Sequence, residues 1–259
     1  MAEPTKYTSK LSGSRLLIIG SSSGIGFAVA EACIEHGALV VIASCSHKRI
    51  SSAIERIKST YPSKAVNIHG LTVDLSNPEA LESELEHVLS KAVVVCVSSG
   101  DGKRKLNHII YTAGDALATI PLPDMTSKTL PRPDKFLNEH LEKCPDSSYT
   151  ITTGSISEKP MPDWTVVAGY AAGLHAMVRN LALELKPIRV NGISSGVVNT
   201  ELWKMSEEER ETMMTSMGEN LATGRAGRPE DVAESYLAVL KDGNMTGSMV
   251  QTDGGALFM

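Results

Sequence analysis

Short apolar stretches alternate with amphipathic stretches along most of this chain. The apolar stretches are rich in β-branched residues and mostly continuous, which is typical of strands buried on both faces of a sheet. They predict strands at Leu16–Ile19, Leu39–Ala43, Val66–Val73, His108–Ala113, Tyr149–Thr153, Ile188–Ile193 and Ser248–Thr252.

The segments between these strands have helical periodicity. In one of them Ile50, Ala53, Ile54 and Ile57 share a face, and in another Ser76, Pro78 and Glu79 form a helix start. The predicted helices are Phe27–His36 (ended by Gly37), Lys48–Thr60, Ser76 to about Lys91, Ala168–Lys186 and Pro229–Lys241. The apolar run Val93–Val97 precedes a polar loop, Ser98–Lys105, which we interpret as a surface insertion.

The alternation of strands and helices indicates one α/β domain. Repeated β-α-β spacing predicts an open, doubly wound parallel sheet with helices on both sides, the Rossmann fold. The chain shows neither repeats nor a low-complexity linker. We therefore predict a single domain over residues 1–259.

Composition excludes several classes of function. With 42% apolar and 21% charged residues the chain is not disordered, and a net charge of −5 gives no drive toward nucleic acid or anionic membranes. The polar start Met1–Arg15 is unlike a secretion signal, and no apolar run approaches the ~20 residues that span a bilayer.

The cysteines form no C-x-x-C pair, so we expect free, buried thiols in a reducing, cytoplasmic setting. The histidines show no i, i+4 pair, and we predict no metal site.

A glycine-rich turn lies where the first strand meets the first helix. Its sequence is Gly20-Ser-Ser-Ser-Gly24-Ile-Gly26. Glycines at this spacing allow a tight turn, let the backbone approach a pyrophosphate and let the helix pack closely on the strand. The helix N-terminus then offers N–H groups and partial positive charge to phosphates. The residues predicted to bind the dinucleotide here are Gly20, Ser22, Ser23, Gly24 and Ile25.

The end of the second strand selects between the two pyridine dinucleotides. An acidic residue there would hydrogen-bond a ribose 2′-hydroxyl and repel a 2′-phosphate. This chain instead has two hydroxyls, Ser44 and Ser46, followed by two cations, Lys48 and Arg49. The pattern favours NADP(H) over NAD(H). The alternative for the two cations is a solvated helix start, although a helix N-terminus is a poor place for cations.

These motifs resemble those of the short-chain dehydrogenase/reductase superfamily over nearly the whole chain. The remaining motifs that carry the resemblance are Asp74-Leu75, Tyr111-Thr-Ala113-Gly114, Ile188-Arg-Val-Asn191, Ser195-Gly196-Val-Val-Asn-Thr200, Gly224–Val232 and Thr252-Asp-Gly-Gly255. The resemblance implies further coenzyme contacts: Asp74 and Leu75 around the adenine, Ala113 and Gly114 under the nicotinamide ribose, and Val198 and Thr200 at the carboxamide and phosphate.

The chain departs from the family at the residues that deliver a proton. Relatives that reduce carbonyls use a Ser and a Tyr-x-x-x-Lys, in which the Lys lowers the pKa of the Tyr that protonates the alkoxide. Here Tyr170 is followed four residues later by Leu174. Counting back from Leu181-Ala-Leu-Glu-Leu185 places Val167 at the Tyr position, Ala171 at the Lys position and Gly154 at the Ser position. The lysine is absent in either register, and the remaining catalytic candidates are Ser155, Asp163 and Tyr170.

A second departure lies between Gly114 and Tyr149. Relatives usually carry a long interface helix here, whereas this chain has Pro121, Pro123, Pro131 and Pro133 and only Lys135–Lys143 is helical by pattern. The segment is also shorter than in relatives. A homo-oligomer remains open, but the usual tetramer is in doubt.

The chain is similar to a divergent fungal branch of the superfamily with a Pro-x-Pro-x-Trp loop, here Pro160-Met161-Pro162-Asp163-Trp164. Some members of that branch act on indole-alkaloid iminium intermediates and steer a following cyclisation. Those members have an acid where this chain has Met161, and Asp163 comes two residues later. We predict that Met161, Trp164 and Trp203 contact the substrate; the alternative for the tryptophans is ordinary loop packing.

A predicted lid covers residues 200–225, a segment that is mobile in the family. Ser206-Glu-Glu-Glu209 is a capping box that opens a helix. One methionine, Met205, comes just before this helix, and three lie on it: Met213, Met214 and Met217. Methionines suit a bulky, irregular apolar ligand. The alternative is a lid helix that packs on its own core.

Three functional hypotheses follow. The first is an NADPH-dependent reductase of an activated, iminium-type intermediate in secondary-metabolite, alkaloid-like biosynthesis, with a bulky apolar small molecule as substrate. The second is an NADP-binding protein without redox turnover, such as a cyclase, a partner subunit or a sensor. The third is a carbonyl reductase with a rearranged acid such as Tyr170.

Overall fold

A single parallel sheet organises the molecule. The computed structural model describes residues 5–97, 104–114 and 134–259. Within them, the sheet has seven strands in the order β3-β2-β1-β4-β5-β6-β7, and every neighbouring pair is parallel. The strands are β1 Arg15–Ile19, β2 Leu39–Ser44, β3 Ile68–Thr72, β4 His108–Tyr111, β5 Ser148–Gly154, β6 Arg189–Ser195 and β7 Met249–Thr252. The predicted doubly wound sheet is confirmed.

Helices cover both faces of the sheet. They are α1 Gly24–Glu35, α2 His47–Thr60, α3 Leu81–Val97, α4 Asp134–His140, α5 Thr165–Glu184, α6 Glu207–Gly218 and α7 Pro229–Lys241. Short 3-10 turns cover Pro62–Asn67, Ser155–Ser157, Glu201–Trp203 and Ala256–Phe258. Gly37, with φ +81°, adopts the left-handed conformation predicted after the first helix.

Alternate residues of the central strands face two separate cores. Leu16 and Ile18 of β1 pack into the core that contains α1 and α7, whereas Leu17 and Ile19 pack into the core that contains α3 and α5. Successive side chains of a strand point to opposite faces, so a strand buried on both faces must be apolar throughout. This geometry explains the continuous apolar runs in the sequence.

The third predicted strand was placed too early. The structure has a 3-10 turn at Pro62–Asn67, and β3 begins only at Ile68. Val66, which the prediction included, is 79% exposed. Pro62 fixes φ at the first position of the turn, and this local restraint outweighs the β propensity of Val66.

The helix predicted from Ser76 begins later and runs further. Asp74 and Asn77 close Asx turns, with the Ser76 N–H on Asp74 Oδ1 and the Glu79 N–H on Asn77 Oδ1, both at 3.0 Å. These bonds hold the backbone in turns, so α3 starts at Leu81. The apolar run Val93–Val97 is the last part of α3 and not a separate element.

Other boundaries shift by a few residues. The structure starts α1 at Gly24 where Phe27 was predicted, starts α5 at Thr165 where Ala168 was predicted, and ends the helix predicted over Lys135–Lys143 at His140. Most of the loop predicted at Ser98–Lys105 and the four prolines between residues 121 and 133 lie outside the described residues.

Two expectations about composition need correction. All four cysteines are free, but only Cys33 is buried; Cys45 is exposed and Cys96 and Cys144 are half-buried. Among the described residues one helix, α5, is long and apolar enough to cross a membrane by length and composition, contrary to the expectation from the apolar runs. A single such helix is weak evidence, and Ala171, Val178 and Leu181 of α5 are buried in the fold.

Candidate dinucleotide and substrate site

The order of the strands creates a crevice at one edge of the sheet. The chain leaves β1 for β2 on one side, and β4 lies on the other side of β1. Ligands of open parallel sheets bind outside the carboxyl ends of the strands at such a reversal of order. The ends of β1, β4, β5 and β6 therefore define where the predicted site residues must meet.

The glycine turn packs tightly against the segment after β4. Gly20 has φ +90°, and a β-carbon there would collide with backbone atoms of Thr112 and Ala113. A β-carbon on Gly26 would collide with the side-chain hydroxyl of Thr112. The Thr112 N–H and hydroxyl both donate to the Ile19 carbonyl, at 2.8 and 2.9 Å. The glycines thus let the turn and the β4 end approach each other.

The N-terminus of α1 has no side-chain cap. Ser23 is the N-cap residue but its hydroxyl accepts no hydrogen bond from the helix, and the first turn carries no acidic residue. Thr200 packs against Gly24, the first residue of α1. The β-carbon of Thr200 lies 3.3 Å from the position that a β-carbon on Gly24 would take. The resemblance assigns Thr200 to the phosphate. The first N–H groups of α1 therefore receive no capping hydroxyl and no carboxylate from α1 itself.

Hydroxyl and cationic groups meet at the end of β2. The Ser22 hydroxyl donates to Ser44 Oγ at 2.9 Å, which joins the glycine turn to the end of β2. Ser46 caps α2 by accepting the Arg49 N–H at 3.4 Å, so this hydroxyl has a structural role as well as the predicted one. Lys48 and Arg49 are exposed, and the Arg49 guanidinium donates to the Cys45 thiol at 3.3 Å.

The residues assigned to the adenine and the ribose lie at the same edge. The exposed Asp74 carboxylate accepts hydrogen bonds from the Ser76 hydroxyl and N–H, which lower the pKa of Asp74. Leu75 packs against the α3 and α5 core. Gly114 is exposed, and a β-carbon on it would meet nothing within 4 Å. Ala113 touches the glycine turn, as described above.

Val198 turns its own peptide groups away from Gly227. It forms a parallel bridge with Gly227, in which the Asn199 N–H donates to the Gly227 carbonyl and the Gly227 N–H donates to the Val197 carbonyl, both at 2.9 Å. In such a bridge the N–H and C=O of the bridged residue point the other way. The Val198 carbonyl accepts the Trp203 indole N–H at 2.9 Å. The Val198 N–H has no hydrogen-bond partner in the described part of the chain.

Small residues occupy the place where α5 meets the end of β5. Ala171 is 5% exposed, and its carbonyl accepts the Thr153 hydroxyl at 3.3 Å. Val167 lies one turn earlier on the same side of α5 and is half-buried. Gly154 ends β5, and Ser155 opens the following 3-10 turn half-buried. Tyr170 is 53% exposed.

The loop after β5 is anchored at both ends. Lys159 Nζ donates to the carbonyls of Ala256 and Met259, and Glu158 accepts a hydrogen bond from Gln251 at 2.8 Å. Ser157 Oγ lies 3.1 Å from His175 Nε2, and burial lowers the pKa of His175. No local pattern in the sequence predicts these contacts, because they join residues that are far apart in the chain.

The Pro-x-Pro-x-Trp loop follows this anchor. Asp163 is exposed with φ +64°, a left-handed conformation that is unusual for a residue other than glycine. Met161 is 38% exposed, and Trp164 is half-buried at the N-terminus of α5. The loop therefore holds Met161 at the surface and leaves Trp164 half-buried at the start of α5.

The predicted lid residues form a helix with a cavity along one side. The capping box is confirmed, with the Glu209 N–H on Ser206 Oγ and the Ser206 N–H on Glu209 Oε2. Arg210 Nε donates to Asn199 Oδ1 at 2.8 Å, which fastens α6 to the segment after β6. Met214 is buried, whereas Met213 and Met217 line an open cavity of about 480 Å³. Met214 thus fits the alternative of a lid helix that packs on its own core, whereas contact of Met213 and Met217 with a ligand stays a prediction.

Three side chains of the kind that bind metal ions meet outside the crevice. Their carboxylate and imidazole atoms lie within 4.8 Å of one another, and the residues are Glu86, Glu139 and His140. His140 Nε2 lies 3.1 Å from Glu86 Oε2. The search for i, i+4 histidine pairs could not find it, because α3 and α4 bring these residues together. The absence of a metal site stays a prediction.

Comparison with known proteins identifies the class that this fold and crevice define. The model of the SDR-like Rossmann domain matches residues 7–259, so the chain belongs to the short-chain dehydrogenase/reductase family. It is 40% identical to short-chain dehydrogenase/reductase fsr5 of the fungus Gibberella fujikuroi, over 99% of each chain.

Two solved structures extend the comparison. The MalC reductase/Diels-Alderase of Malbranchea aurantiaca shares 34% identity and a TM-score of 0.85, over 98% of this chain and 100% of MalC. An NADPH-bound short-chain oxidoreductase of Pseudomonas aeruginosa with an atypical catalytic centre shares 20% identity and a TM-score of 0.77, over 94% and 97%. The second likeness concerns the fold alone.

Proposed function

We propose that this protein is an NADPH-dependent reductase of an activated, iminium-type carbon in a bulky apolar small molecule of fungal secondary metabolism. The observation that carries the proposal is the pairing of a dinucleotide crevice with an α5 face that has Ala171 and Val167 beside the end of β5. The proposal assigns coenzyme binding to the residues at the carboxyl ends of the strands, and it takes Val167 and Ala171 as apolar replacements of the usual proton donor and its lysine.

The residues of the crevice fit a phosphorylated dinucleotide. The uncapped N-terminus of α1 offers N–H groups to a pyrophosphate, and the glycine turn leaves room for it. The unpartnered Val198 N–H beside the Val198 carbonyl offers the donor and acceptor that a carboxamide needs. Ser22, Ser44 and Arg49 surround the end of β2, which carries no acid, and suit a 2′-phosphate.

Without the usual proton donor, the protein can reduce only electrophiles that need no proton. When bound, NADPH supplies a hydride. Addition of hydride to a neutral ketone builds an alkoxide that needs a proton donor or oxyanion donors worth several kcal/mol. Addition to an iminium carbon forms one C–H bond, moves the π electrons onto nitrogen and gives a neutral amine, so no proton is required. This chain then needs only to hold and orient the substrate.

Apolar and aromatic side chains suit a bulky substrate. Met161 and Trp164 lie in the loop before α5, and Trp203 precedes the lid helix. Met213 and Met217 line the cavity along α6. Methionine adapts to irregular apolar shapes, and a tryptophan face attracts a cation. The segment 200–225 would close over the substrate as a lid, held by the hydrogen bond between Arg210 and Asn199.

Deuterium transfer tests the proposed reaction. The protein is incubated with NADPH carrying deuterium at the transferable position and with N-methyl-3,4-dihydroisoquinolinium, a permanently charged iminium. We expect one deuterium on the former iminium carbon and one NADP⁺ formed for each amine. Unconsumed NADPH with bound coenzyme would contradict redox turnover.

A cyclase is the second candidate. MalC, 34% identical over nearly the whole chain, is described as both a reductase and a Diels-Alderase. A protein of this second kind would bind NADPH or NADP⁺ and hold an apolar substrate in a folded conformation without hydride transfer. Tight coenzyme binding with cyclisation of a tethered diene and dienophile in NADP⁺ alone would favour it over the reductase.

A further inference from the structure

The short turn Glu201–Trp203 contacts the two ends of the coenzyme crevice at once. It follows Thr200 directly and leads into the lid helix α6. Its first residue, Glu201, reaches the N-terminus of α1. Its last residue, Trp203, reaches Val198. These two places are the ones that the proposed function assigns to the pyrophosphate and the carboxamide.

Glu201 puts a carboxylate where an anionic phosphate would bind. Its Oε2 lies 3.7 Å from the point where a β-carbon on Gly24, the first residue of α1, would stand. The N-terminus of α1 has no side-chain cap and no acid of its own. A carboxylate at that position is stabilised by the partial positive charge of the helix. It would also repel a phosphate that approached the same N–H groups.

Trp203 puts an N–H donor where a carboxamide N–H would bind. Its indole N–H donates to the Val198 carbonyl at 2.9 Å, on the side of Val198 that faces away from Gly227. The Val198 N–H beside it has no partner among the described residues. A primary carboxamide offers N–H donors and an oxygen acceptor, and Trp203 reproduces only a donor.

We propose that the turn Glu201–Trp203 is an internal mimic of the coenzyme. In the free protein it occupies the pyrophosphate and carboxamide positions of the crevice, and it must leave both positions when NADPH binds. The proposal rests on the proposed function, because it assumes that NADPH is the ligand. The turn is continuous with the lid, so its displacement would also move the start of α6. Coenzyme binding and lid position are therefore coupled through three residues.

The variants Glu201→Gln and Trp203→Phe each remove one contact. Glu201→Gln keeps the size and shape of the side chain nearly constant, and Trp203→Phe keeps an aromatic ring but removes the indole N–H together with the second ring. Each variant is expected to bind NADPH tighter than the natural chain, by roughly two- to tenfold, because the free state loses its carboxylate–helix contact or its hydrogen bond. The gain from Glu201→Gln should shrink at high salt, since it is electrostatic. Glu207→Gln, an equal charge change on the exposed first turn of α6, is the control and should leave the dissociation constant unchanged.

Isothermal titration with NADPH measures these constants for the four chains, after thermal denaturation has shown that each is folded. Weaker or unchanged binding in either variant, with the natural chain binding NADPH, overturns the mimic and leaves the proposed function standing. Binding by the variants but not by the natural chain supports the mimic in its strongest form. Absence of binding in all four chains overturns both the mimic and the proposed coenzyme.

A spectroscopic measurement separates displacement from simple tightening. Trp203 and Trp164 are the two tryptophans of the chain. In the Trp164→Phe background, emission therefore comes from Trp203 alone, and NADP⁺ is a suitable probe because it does not absorb that emission. A shift of the emission maximum on saturation with NADP⁺ is expected if the indole leaves Val198. An unchanged maximum at proven saturation would contradict displacement.

Discussion

The hydroxyl of Ser22, in the glycine turn, donates a 2.9 Å hydrogen bond to the hydroxyl of Ser44, at the end of β2. This contact places two neutral oxygen groups where related dinucleotide sites carry a carboxylate for the ribose 2′-hydroxyl. The exposed Lys48 and Arg49 follow at the start of α2. We therefore expect the choice between the two coenzymes to depend on this small group of residues.

Substitution of Ser44→Asp should weaken NADPH binding by about fivefold or more, because a new carboxylate would repel the 2′-phosphate by at least about 1 kcal/mol. NADH binding should change little. Ser44→Asn, which has a similar size and no charge, is the matched control. Titration calorimetry with both coenzymes measures the effect. Equal weakening of NADPH and NADH by Ser44→Asp would show that the end of β2 does not face the 2′ position.

Arg49→Ala should weaken NADPH several-fold and leave NADH almost unchanged. The guanidinium now donates to the Cys45 thiol, an exposed group, and is available for a charge-assisted hydrogen bond to phosphate. The loss should decrease as ionic strength rises. Lys58→Ala, in the last turn of α2, removes a charge at the far end of the same helix and should have little effect. A similar loss in both variants would indicate general electrostatic attraction and no specific contact.

Tyr170→Phe should keep at least half of the reductase activity. The side chain is 53% exposed, and the residue of α5 that meets β5 is its neighbour Ala171. A proton donor in this family has to reach the carbonyl oxygen of a substrate bound at the carboxyl ends of the strands. Steady-state kinetics with the iminium substrate gives the comparison. If Tyr170→Phe were folded but had lost the reduction of a ketone such as acetophenone, Tyr170 would be a rearranged acid and the third hypothesis would stand.

Asp231 should stabilise the fold in a way that depends on pH. The Arg225 guanidinium, which bonds it at 2.7 Å, together with the Arg228 N–H, holds the pKa of Asp231 well below its usual range. A lowered folded-state pKa means that the stabilisation is present above the unfolded pKa, near 4, and is lost as the pH falls toward the folded value. Asp231→Asn should cost about 1 kcal/mol at pH 7, as the loss of a helix cap does.

Urea unfolding of the natural chain and Asp231→Asn at pH 7 and at successively lower pH measures that difference. The gap between the two free energies of unfolding should narrow below about pH 4. Glu230→Gln, the adjacent acid in the first turn of α7, is the control without the two arginine contacts. A gap that stays constant over this pH range would exclude the ionised carboxylate as its cause.

Gly20→Ala should destabilise the fold by more than about 2 kcal/mol, because its φ of +90° and its contact with the backbone of Thr112 and Ala113 both exclude a β-carbon. Gly243→Ala is the control: φ is not positive there, and a β-carbon would meet nothing within 4 Å. Thermal or urea unfolding distinguishes the two. Equal stability of Gly20→Ala and the natural chain would mean that the turn is looser than described.

The sequence predicted the sheet better than the ends of its elements. Continuous apolar runs identified β1 and β2, because burial on both faces leaves no polar position. The start of α3 was predicted too early, because the Asx turns of Asp74 and Asn77 compete locally with helix formation. Patterns of apolar residues contain no information about such side-chain to backbone bonds.

The site was predictable only where a local pattern carries the chemistry. The glycine turn and the capping box at Ser206 depend on neighbouring residues, and both were visible in the sequence. The bridge between Val198 and Gly227, and the hydrogen bond from Trp203 to Val198, depend on how distant segments meet. Contacts of this kind become visible only when the fold is known.

The most direct test of the central claim compares two electrophiles on one enzyme. Oxidation of NADPH is followed at saturating coenzyme with N-methyl-3,4-dihydroisoquinolinium and with acetophenone, each corrected for its uncatalysed reaction with NADPH. A general acid is worth roughly a hundredfold or more in rate, so an enzyme without one should accelerate the iminium reduction at least about a hundredfold more than the ketone reduction. Equal or greater acceleration of the ketone would show that a proton donor is present and would contradict this account.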